Sequence, residues 1–306
     1  MIDVSIIIVN YNTKELLKSC INSIYAQTKE VTYEIIISDN GSKDGSIEML
    51  KETFPEVKLI ENNKNLGFGT ANNRALEIAQ GKYIFYLNSD TILLNNAIKL
   101  FFDYFNLNDD GNLGAIGAML LNPDNTFTYS GGAFPIIKTE IINLIKQNIG
   151  NVYLTLGTIL RFKNMHKKHV FNEIYGNVEY ITGAALFLKN NNYAKFDEDF
   201  FLYYEDTYLQ IKLNNANLRR EIIQGPKIIH LNGGSVEEKM SIYRKASFSR
   251  INYEFSRIKY LRKLNTKNTF SNRCAINFCK FLILLSWSNP FLIRKTHKYF
   301  KTIKSL

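Results

Sequence analysis

The chain has 306 residues, of which 45% are hydrophobic and 22% are charged. This composition excludes a disordered, collagen-like or Pro-rich protein and predicts two domains, or one large α/β domain with an appendage. The three cysteines include no CxxC pair, so neither a disulfide framework nor a structural zinc site is expected, and a reducing compartment is indicated.

The net charge of +10 is unevenly distributed along the chain. Residues 241–306 contain 15 of the 38 Lys and Arg residues and a single acid, Glu254, so this segment carries +14 and residues 1–240 carry −4. We predict a mildly acidic globular domain over residues 1–240 and a basic, aromatic, helical region over residues 241–306. Such a region favours an anionic partner: phospholipid headgroups, nucleic acid or an acidic protein.

No segment has the pattern of a secretory signal or of a membrane-spanning helix. The apolar run at the start of the chain has no basic residues before it and ends at Asn10. The apolar segment at residues 281–285, with Trp287, falls well short of the roughly 20 residues that span a bilayer. We therefore expect a cytoplasmic protein whose apolar tail segment can lie on a membrane without crossing it.

Strand and helix patterns alternate over the first 100 residues. Apolar, β-branched runs predict strands at residues 4–9, 33–38, 57–61 and 83–87. Helical spacing predicts helices between them, the first with Thr13 as its N-cap. These repeats imply a Rossmann-like, mostly parallel sheet flanked by helices. Further strands are predicted within residues 113–135, 178–188 and 222–230, with a helix at 207–216, and residues 136–175 are interpreted as an insertion over the sheet edge.

Polar residues follow each of the first four predicted strands. Because the carboxyl ends of parallel strands meet at one edge of a sheet, these residues favour a polar pocket there, although Asn and Asp also end strands for reasons of turn geometry. They are Asn10-Tyr11-Asn12, Asp39-Asn40, Asn62-Asn63 and Asn88-Ser89-Asp90.

The Asn- and Gly-rich segment at residues 65–73 opens a helix after the third strand. Glycines let backbone N–H groups approach a phosphate at a helix N-terminus. The segment lacks the GxGxxG spacing and does not follow the first strand, which argues against a nicotinamide enzyme.

Three further acids and one histidine are candidate functional residues. Asp90 has the oxygen chemistry that Mg²⁺ or Mn²⁺ prefers, or it is an N-cap for a helix starting near Leu93. Glu205 and Asp206 follow an aromatic run, whose desolvation would raise a carboxyl pKa and suit one of them to general-base work, or they are ordinary helix-start acids. His230 ends an apolar strand, as a core side chain or a metal ligand.

Taken together, residues 4–235 resemble a family 2 glycosyltransferase with the GT-A fold. The resemblance rests on the order and spacing of the motifs. The amino-acid sequences of two of them are most similar to bacterial rhamnosyltransferase-like members that build surface polysaccharides. The motifs are Ser5–Asn12, Ser38–Gly45, Asn65–Asn73, Asn88-Ser89-Asp90, Thr182–Ala185, Tyr204-Glu205-Asp206 and His230.

The resemblance implies a nucleotide-diphosphate sugar donor, dTDP- or UDP-linked, and roles for the residues that bind it. Asp39 would contact the pyrimidine, assisted by backbone near Val9 and Tyr11. Asn88 stands where the family usually has its first acid, and so it more naturally faces the ribose or the sugar. The remaining donor-binding residues would be Asn65, Gly67, Asn72 and Gly183.

The resemblance also implies a divalent cation and inversion at the anomeric carbon. Asp90 would be the metal-binding acid of the family's DXD motif, and His230 would complete the metal site. Asp206 would be the base that deprotonates the acceptor, and Glu205 would contact the acceptor or the sugar. The acceptor would be a saccharide or a lipid-linked saccharide. The basic tail, with Trp287 and the apolar residues 281–285, would then hold the enzyme at the inner face of the plasma membrane.

Three rival interpretations keep part of this pattern. A nucleic-acid-binding protein would use the basic tail but leave the acids without a purpose, so we expect no nucleic-acid partner. A non-catalytic, sugar-nucleotide-binding homologue would not need both Glu205 and Asp206. A nucleotidyltransferase would be expected to have a Gly-rich, basic loop where Val9–Thr13 stands.

Overall fold

The computed structural model describes residues 2–159, 171–231, 247–265 and 269–306, without the side chains of residues 157–159. The contacts divide the chain into two compact units. Of the described residues, 2–134, 171–201 and 205–231 fall in the first unit, and the others fall in the second. The charge pattern did not indicate that residues 135–159 group with the C-terminal residues.

The first unit contains the four parallel strands that the sequence predicts. They are β1 (Val4–Asn10), β2 (Tyr33–Asp39), β3 (Lys58–Glu61) and β4 (Tyr83–Leu87), in the order β3-β2-β1-β4. The helices between them are α1 (Lys14–Gln27), α2 (Ser46–Thr53) and α3 (Phe68–Leu76). The strand–helix alternation therefore predicted this half of the sheet correctly.

The remaining strands extend the same sheet with mixed directions. They are β5 (Thr91–Leu93), β6 (Leu113–Leu121), β8 (Gly176–Val178), β10 (Ala185–Lys189) and β11 (Arg219–His230), and α4 (Ala97–Asn108) and α6 (Glu205–Asn215) accompany them. Strand β10 lies antiparallel between β4 and β6, followed by β11 and β5. Two short strands, β7 (Gly131–Gly132) and β9 (Tyr180–Ile181), pair separately.

Two sequence-based expectations for this region are wrong. No helix starts near Leu93, because Thr91–Leu93 pairs with β11 as a strand and the next helix begins at Ala97. The predicted strand over residues 178–188 is interrupted, because Thr182–Ala184 leaves the ladder between β9 and β10. This interruption lets the backbone N–H of Gly183 donate to Asp206 at the start of α6.

Apolar side chains cover both faces of the sheet. In β1, Ile6 and Ile8 pack into one cluster with Phe85 and Phe187, and Ile7 packs into the other with Tyr86. The strands are therefore buried on both faces, as their continuous apolar runs predict. Cys20, on the inner face of α1, is fully buried in the first cluster, as expected for a core residue.

The second unit is helical. Its helices are α5 (Ile137–Ile159), α7 (Phe248–Leu264), α8 (Phe270–Trp287), α9 (Ile293–Thr296) and α10 (Phe300–Ser305), with a short 3-10 helix at His297–Tyr299. Ser247 and Thr269 cap α7 and α8 through their hydroxyl oxygens. No helix within the described parts of the chain is long and apolar enough to cross a membrane.

Trp287 is not a surface anchor, contrary to expectation. Its side chain is 1% exposed and packs against the rings of Phe255, Tyr299 and Phe300. Ile283 is fully buried as well, whereas Phe281 and Leu285 are about half exposed, at 56% and 50%. The apolar tail segment is thus divided between the core of the unit and its surface.

Candidate active site

The ends of β1 and β2 are joined by their polar residues. Asn10 Nδ2 donates to Asp39 Oδ2 at 2.7 Å, and Asp39 Oδ1 accepts from the backbone N–H groups of Gly41 and Ser42. Asp39 is completely buried. Its carboxylate therefore organises the loop after β2. The side chain of Tyr11, which directly follows β1, is 48% exposed.

Thr13 contributes to the same edge, but not as a side-chain cap. Its hydroxyl donates to Asn10 Oδ1 at 2.7 Å instead of bonding to the helix backbone, and it lies 3.0 Å from the hydroxyl of Ser89. This pair connects the loops that follow β1 and β4. The polar residues after these strands therefore converge, as the sequence predicts.

A network of asparagines fixes the segment that leads into α3. Asn40 Nδ2 donates to the carbonyl oxygen of Gly67 at 3.1 Å, and Asn62 Nδ2 donates to Ser38 Oγ at 2.7 Å. Asn65 Oδ1 accepts from the N–H of Gly67 at 2.9 Å. Asn72 is buried, and its amide donates to the carbonyl oxygen of Phe68. These amides therefore build the loop itself.

Gly67 is needed for contact with another loop of the chain. Its φ is +88°, and a β-carbon there would lie 2.3 Å from the carbonyl oxygen of Phe201. The N–H of Phe68 donates to that same oxygen at 2.9 Å. Asn73 makes two hydrogen bonds with the backbone of Phe196. The Gly-rich segment thus holds the loop at residues 196–201, a contact that its sequence did not predict.

Asp90 and His230 lie together at the ends of β4 and β11. His230 Nε2 is 3.3 Å from Asp90 Oδ1, and the N–H of Leu231 donates to the carbonyl oxygen of Asp90. Strand pairing explains this proximity, since His230 is opposite Thr91 in the β11–β5 ladder. Two sequence-predicted metal ligands 140 positions apart are thereby brought within contact distance.

The side chains near Asp90 and His230 fit a divalent cation that a bound substrate helps to hold. Asp90 and His230 offer oxygen and nitrogen donors, and Asn88 adds a buried Oδ1 that has no hydrogen-bond partner. Within the described residues, no group of three or more His, Cys, Asp and Glu side chains could hold a metal by itself. The arrangement suits Mg²⁺ or Mn²⁺, which commonly keep coordination positions for substrate phosphates.

Asp206 is held at the first turn of α6 by hydrogen bonds from Tyr180, Gly183 and Thr207. Its Oδ2 accepts from the hydroxyl of Tyr180 at 2.7 Å and from the N–H of Gly183 at 2.8 Å, and its Oδ1 accepts from the N–H of Thr207 at 2.7 Å. Burial raises the pKa of Tyr180 well above its usual value, and the negative charge of Asp206 adds to this effect, so the phenol remains a donor. Sequence analysis missed Tyr180, because a lone tyrosine in a strand gives no signal.

Glu205, the neighbouring acid, is in a different environment. It is 4% exposed, and its Oε2 is buried without a hydrogen-bond partner. Desolvation, with a smaller contribution from the charge of Asp206, raises the pKa of Glu205 well above its usual value. The desolvation that the aromatic run predicts therefore acts on Glu205.

One dipeptide connects the acid on α6 with the residues after β4. The N–H of Gly183 donates to Asp206, and the carbonyl oxygen of the next residue, Ala184, accepts from the N–H of Asn88 at 3.0 Å. Asp206 is thus two hydrogen bonds away from the Asn88-Ser89-Asp90 segment. The residues that the sequence predicts for metal binding and for proton transfer belong to one connected part of the structure.

Comparisons with known proteins find similarity to glycosyltransferases. The uncharacterized glycosyltransferase YibD of Escherichia coli (strain K12) is 25% identical over 83% of this chain and 77% of its own length. The N-acetylglucosaminyl-diphospho-decaprenol L-rhamnosyltransferase of Mycobacterium tuberculosis (strain ATCC 25618 / H37Rv) is 23% identical over 74% of this chain and 75% of its own length.

A solved structure confirms the fold. The mannosyltransferase PcManGT from Pyrobaculum calidifontis, in complex with GDP-Man and Mn²⁺, superposes with a TM-score of 0.55 over 99% of this chain and 82% of that protein. At 13% identity this likeness shows the GT-A fold alone. The family model for glycosyl transferase family 2 matches residues 5–168, more than half of the chain. The chain therefore belongs to glycosyl transferase family 2.

Proposed function

We propose that this glycosyltransferase moves a hexose such as rhamnose, with inversion, from a dTDP- or UDP-linked sugar to a saccharide or lipid-linked acceptor in bacterial surface polysaccharide synthesis. The single observation that carries the proposal is the connection between Asp206 and the Asn88-Ser89-Asp90 segment through Gly183-Ala184. The carboxylate of Asp206 would then take the acceptor proton, while other residues, near Asp90, would hold the diphosphate.

Asp206 has the properties that a positioned base needs. The donors from Tyr180 and Gly183 engage one carboxylate oxygen and fix the side chain, so that it is held before the acceptor arrives. A single base suits a direct displacement, whereas a hydrolase that uses two acids would place both of them around the scissile bond. The pKa of Glu205 is raised by burial, which favours the protonated carboxyl, and in that form it would donate a hydrogen bond to the acceptor or the sugar.

Asp90 and His230 would hold the cation, with Asn88 near the ribose or the sugar. A bound Mg²⁺ or Mn²⁺ would stabilise the negative charge that develops on the leaving diphosphate. The 3.3 Å contact between Asp90 and His230 and the orphaned Oδ1 of Asn88 support this assignment.

The nucleotide would lie over the ends of β1 and β2. Tyr11 is exposed beside the Asp39 loop and suits stacking against a pyrimidine, with the backbone of Val9 close by. Asp39 acts there as the buried organiser of the loop, and a base would meet the N–H groups and side chains that it positions. Further along the same edge, the donor would meet residues near Asn65, Gly67, Asn72 and Gly183.

The names of the relatives support the substrate class. One relative is a rhamnosyltransferase acting on a lipid diphosphate sugar, and another, from Bacillus spizizenii, is a poly(ribitol-phosphate) β-glucosyltransferase that is 34% identical over 33% of this chain. The solved neighbour was bound to GDP-Man and Mn²⁺. A nucleotide-linked donor is thus named for the solved neighbour, and a polymeric or lipid-linked acceptor is named for each of the two relatives.

A thermal-shift panel of nucleotide sugars tests the proposal. We expect one dTDP- or UDP-sugar to stabilise the protein in the presence of Mn²⁺ or Mg²⁺, and the free sugars to have no effect. The stabilising donor is then used to follow transfer to lipid-linked and soluble saccharides. Strong, salt-dependent binding of RNA without stabilisation by any nucleotide sugar would contradict the proposal.

A further inference from the structure

An apolar stripe runs along the exposed side of α5. Its side chains are between 40% and 67% exposed and recur at helical spacing: Ile142, Ile145, Ile149, Val152, Tyr153 and Leu156. At 100° per residue they fall within about 100° of the helix circumference. The opposite side of α5, with Leu144 and Asn151, is buried in the second unit. Sequence analysis interpreted this segment only as an insertion.

A second stripe runs along α8. Phe270, Cys274, Phe278, Phe281 and Leu285 are exposed at intervals of three and four residues, and the rings of Phe278 and Phe281 stack at 6.3 Å. These five positions fall within about 80° of the circumference. They lie away from the buried positions of the same helix, such as Ile283 and Trp287.

The two stripes belong to one surface of the second unit. Asn148 Nδ2 of α5 donates to the carbonyl oxygen of Leu282 at 3.0 Å, and Asn151 Nδ2 donates to Ser286 Oγ at 2.6 Å. The order of these contacts shows that α5 and α8 run in the same direction. With the helical period, this pairing turns both stripes to the same side of the helix pair. We call them together the α5–α8 stripe.

In the parts of the second unit that the structure describes, the charged side chains that reach solvent are all basic. In the described part of the second unit the acidic side chains are Glu140 and Glu254, which are 2% and 0% exposed and both pair with Arg257. The ionised side chains that reach solvent there are therefore basic. Those on the helices of the stripe and just beyond them are Lys138, Lys146, Arg273, Arg294, Lys295, Lys298, Lys301 and Lys304.

We propose that the α5–α8 stripe docks onto an anionic phospholipid bilayer, with its apolar side chains in the headgroup–acyl boundary and the lysines and arginines among the headgroups. An amphipathic helical surface with a basic polar side has the chemistry of an interfacial membrane site. Each basic residue near an anionic surface adds attraction. A second copy of the chain is a poorer partner, because pairing two such surfaces brings like charges together.

The chain contains a site for reporting this docking. Cys274 is the one exposed cysteine and lies within the stripe, whereas Cys20 and Cys279 are buried. Burial raises the pKa of Cys20 to about 12 and that of Cys279 to about 11, so these thiols stay protonated and unreactive. A polarity-sensitive fluorophore attached to Cys274 should shift to shorter wavelength with vesicles containing phosphatidylglycerol. With vesicles of phosphatidylcholine alone it should not shift.

Vesicle co-sedimentation of the full chain supplies the matched test. We expect the triple substitution Ile149→Ser, Phe281→Ser and Leu285→Ser to lower partitioning onto phosphatidylglycerol vesicles by at least about tenfold. The control, Ile78→Ser, Leu94→Ser and Leu107→Ser, removes exposed apolar side chains of the first unit and should bind like the original chain. Added salt should weaken binding of the original chain.

Three results would overturn the proposal. The first is a stripe variant that sediments with vesicles as well as the control does. The second is a label on Cys274 that stays at its aqueous wavelength while the protein is bound. The third is a stripe variant that changes only the self-association of the chain in sedimentation velocity. Thermal denaturation of both triple variants shows that each is folded, and nucleotide-sugar binding is measured separately, so a failure here leaves the proposed transferase activity untouched.

Discussion

The backbone N–H of Gly183 donates to Asp206 Oδ2 at 2.8 Å, and this contact leaves no room for a side chain on Gly183. A β-carbon at that position would lie 2.8 Å from the same oxygen and 2.9 Å from the β-carbon of Asp206. The glycine therefore determines where the carboxylate of Asp206 is held.

Replacing Gly183 by Ala should displace Asp206 and lower sugar transfer by about tenfold or more, because a positioned base loses its effect when it moves by a fraction of an ångström. The measurement is kcat for transfer, with donor binding measured alongside. Gly150→Ala on α5 is the matched control, because a β-carbon there meets nothing within 4 Å. The control should keep full activity and gain up to about 1 kcal/mol of helix stability. Equal activities of the two variants would contradict the assignment.

Replacing Gly67 by Ala should destabilise the protein by more than left-handed backbone strain alone. Gly67 has a φ of +88° and would also place a β-carbon 2.3 Å from the carbonyl oxygen of Phe201. Gly176 has nearly the same φ, +86°, with nothing within 4 Å, so Gly176→Ala measures the strain by itself, about 1 kcal/mol. We expect chemical denaturation to give a clearly larger loss for Gly67→Ala, by about 1–3 kcal/mol. A difference near zero would show that the two loops separate easily.

Replacing Tyr180 by Phe should lower kcat by about three- to tenfold while the donor binds as before. The substitution removes the hydroxyl that donates to Asp206 at 2.7 Å and leaves the donor from Gly183 in place. Tyr25→Phe on α1 removes a hydroxyl of a tyrosine that is 40% exposed and should change nothing. If the Tyr180 variant kept full activity, the hydrogen bond would have no part in positioning the base.

Replacing Glu205 by Gln should change how stability depends on pH. Because the pKa of Glu205 is raised in the folded protein, its contribution is fully present below the pKa of the unfolded chain and is lost as the pH rises through the folded pKa. The free energy of unfolding of the original protein should therefore fall, relative to that of Glu205→Gln, as the pH rises above the usual pKa of a glutamate. Glu52→Gln, an exposed acid on α2, should show no such difference. Parallel pH curves for the original protein and Glu205→Gln would contradict the burial argument.

The sequence predicted the parallel half of the sheet because that half depends on local patterns. Apolar runs such as Val4–Val9, with helices between them, identify strands that are buried on both faces, and right-handed crossovers then order them. The direction of β10 could not be predicted, because an antiparallel strand between two others has the same apolar pattern as a parallel one. The sequence did not predict the helix α5, because apolar residues lie on both its buried and its exposed side and hide the one-sided spacing of an amphipathic helix.

The sequence predicted which residues are candidates for the site better than it predicted how they contact one another. Asp90 and His230 carry metal-ligand chemistry that sequence motifs reveal, and strand pairing brings them together. Gly67 and Tyr180 make contacts with residues that are distant in sequence, Gly67 with Phe201 and Tyr180 with Asp206. No local pattern reports such contacts. The same reason applies to Trp287, which the tail composition placed at the surface and tertiary packing buries.

Calorimetric titration with the nucleoside diphosphate of the stabilising donor, with and without Mn²⁺, tests whether Asp90 helps to hold a cation against the diphosphate. We expect Mn²⁺ to strengthen binding at least about tenfold in the original protein and in Asp206→Asn. Asp90→Asn should abolish this gain and leave the metal-free affinity unchanged. An Asp90→Asn variant whose nucleotide binding still responds fully to Mn²⁺ would exclude this role for Asp90.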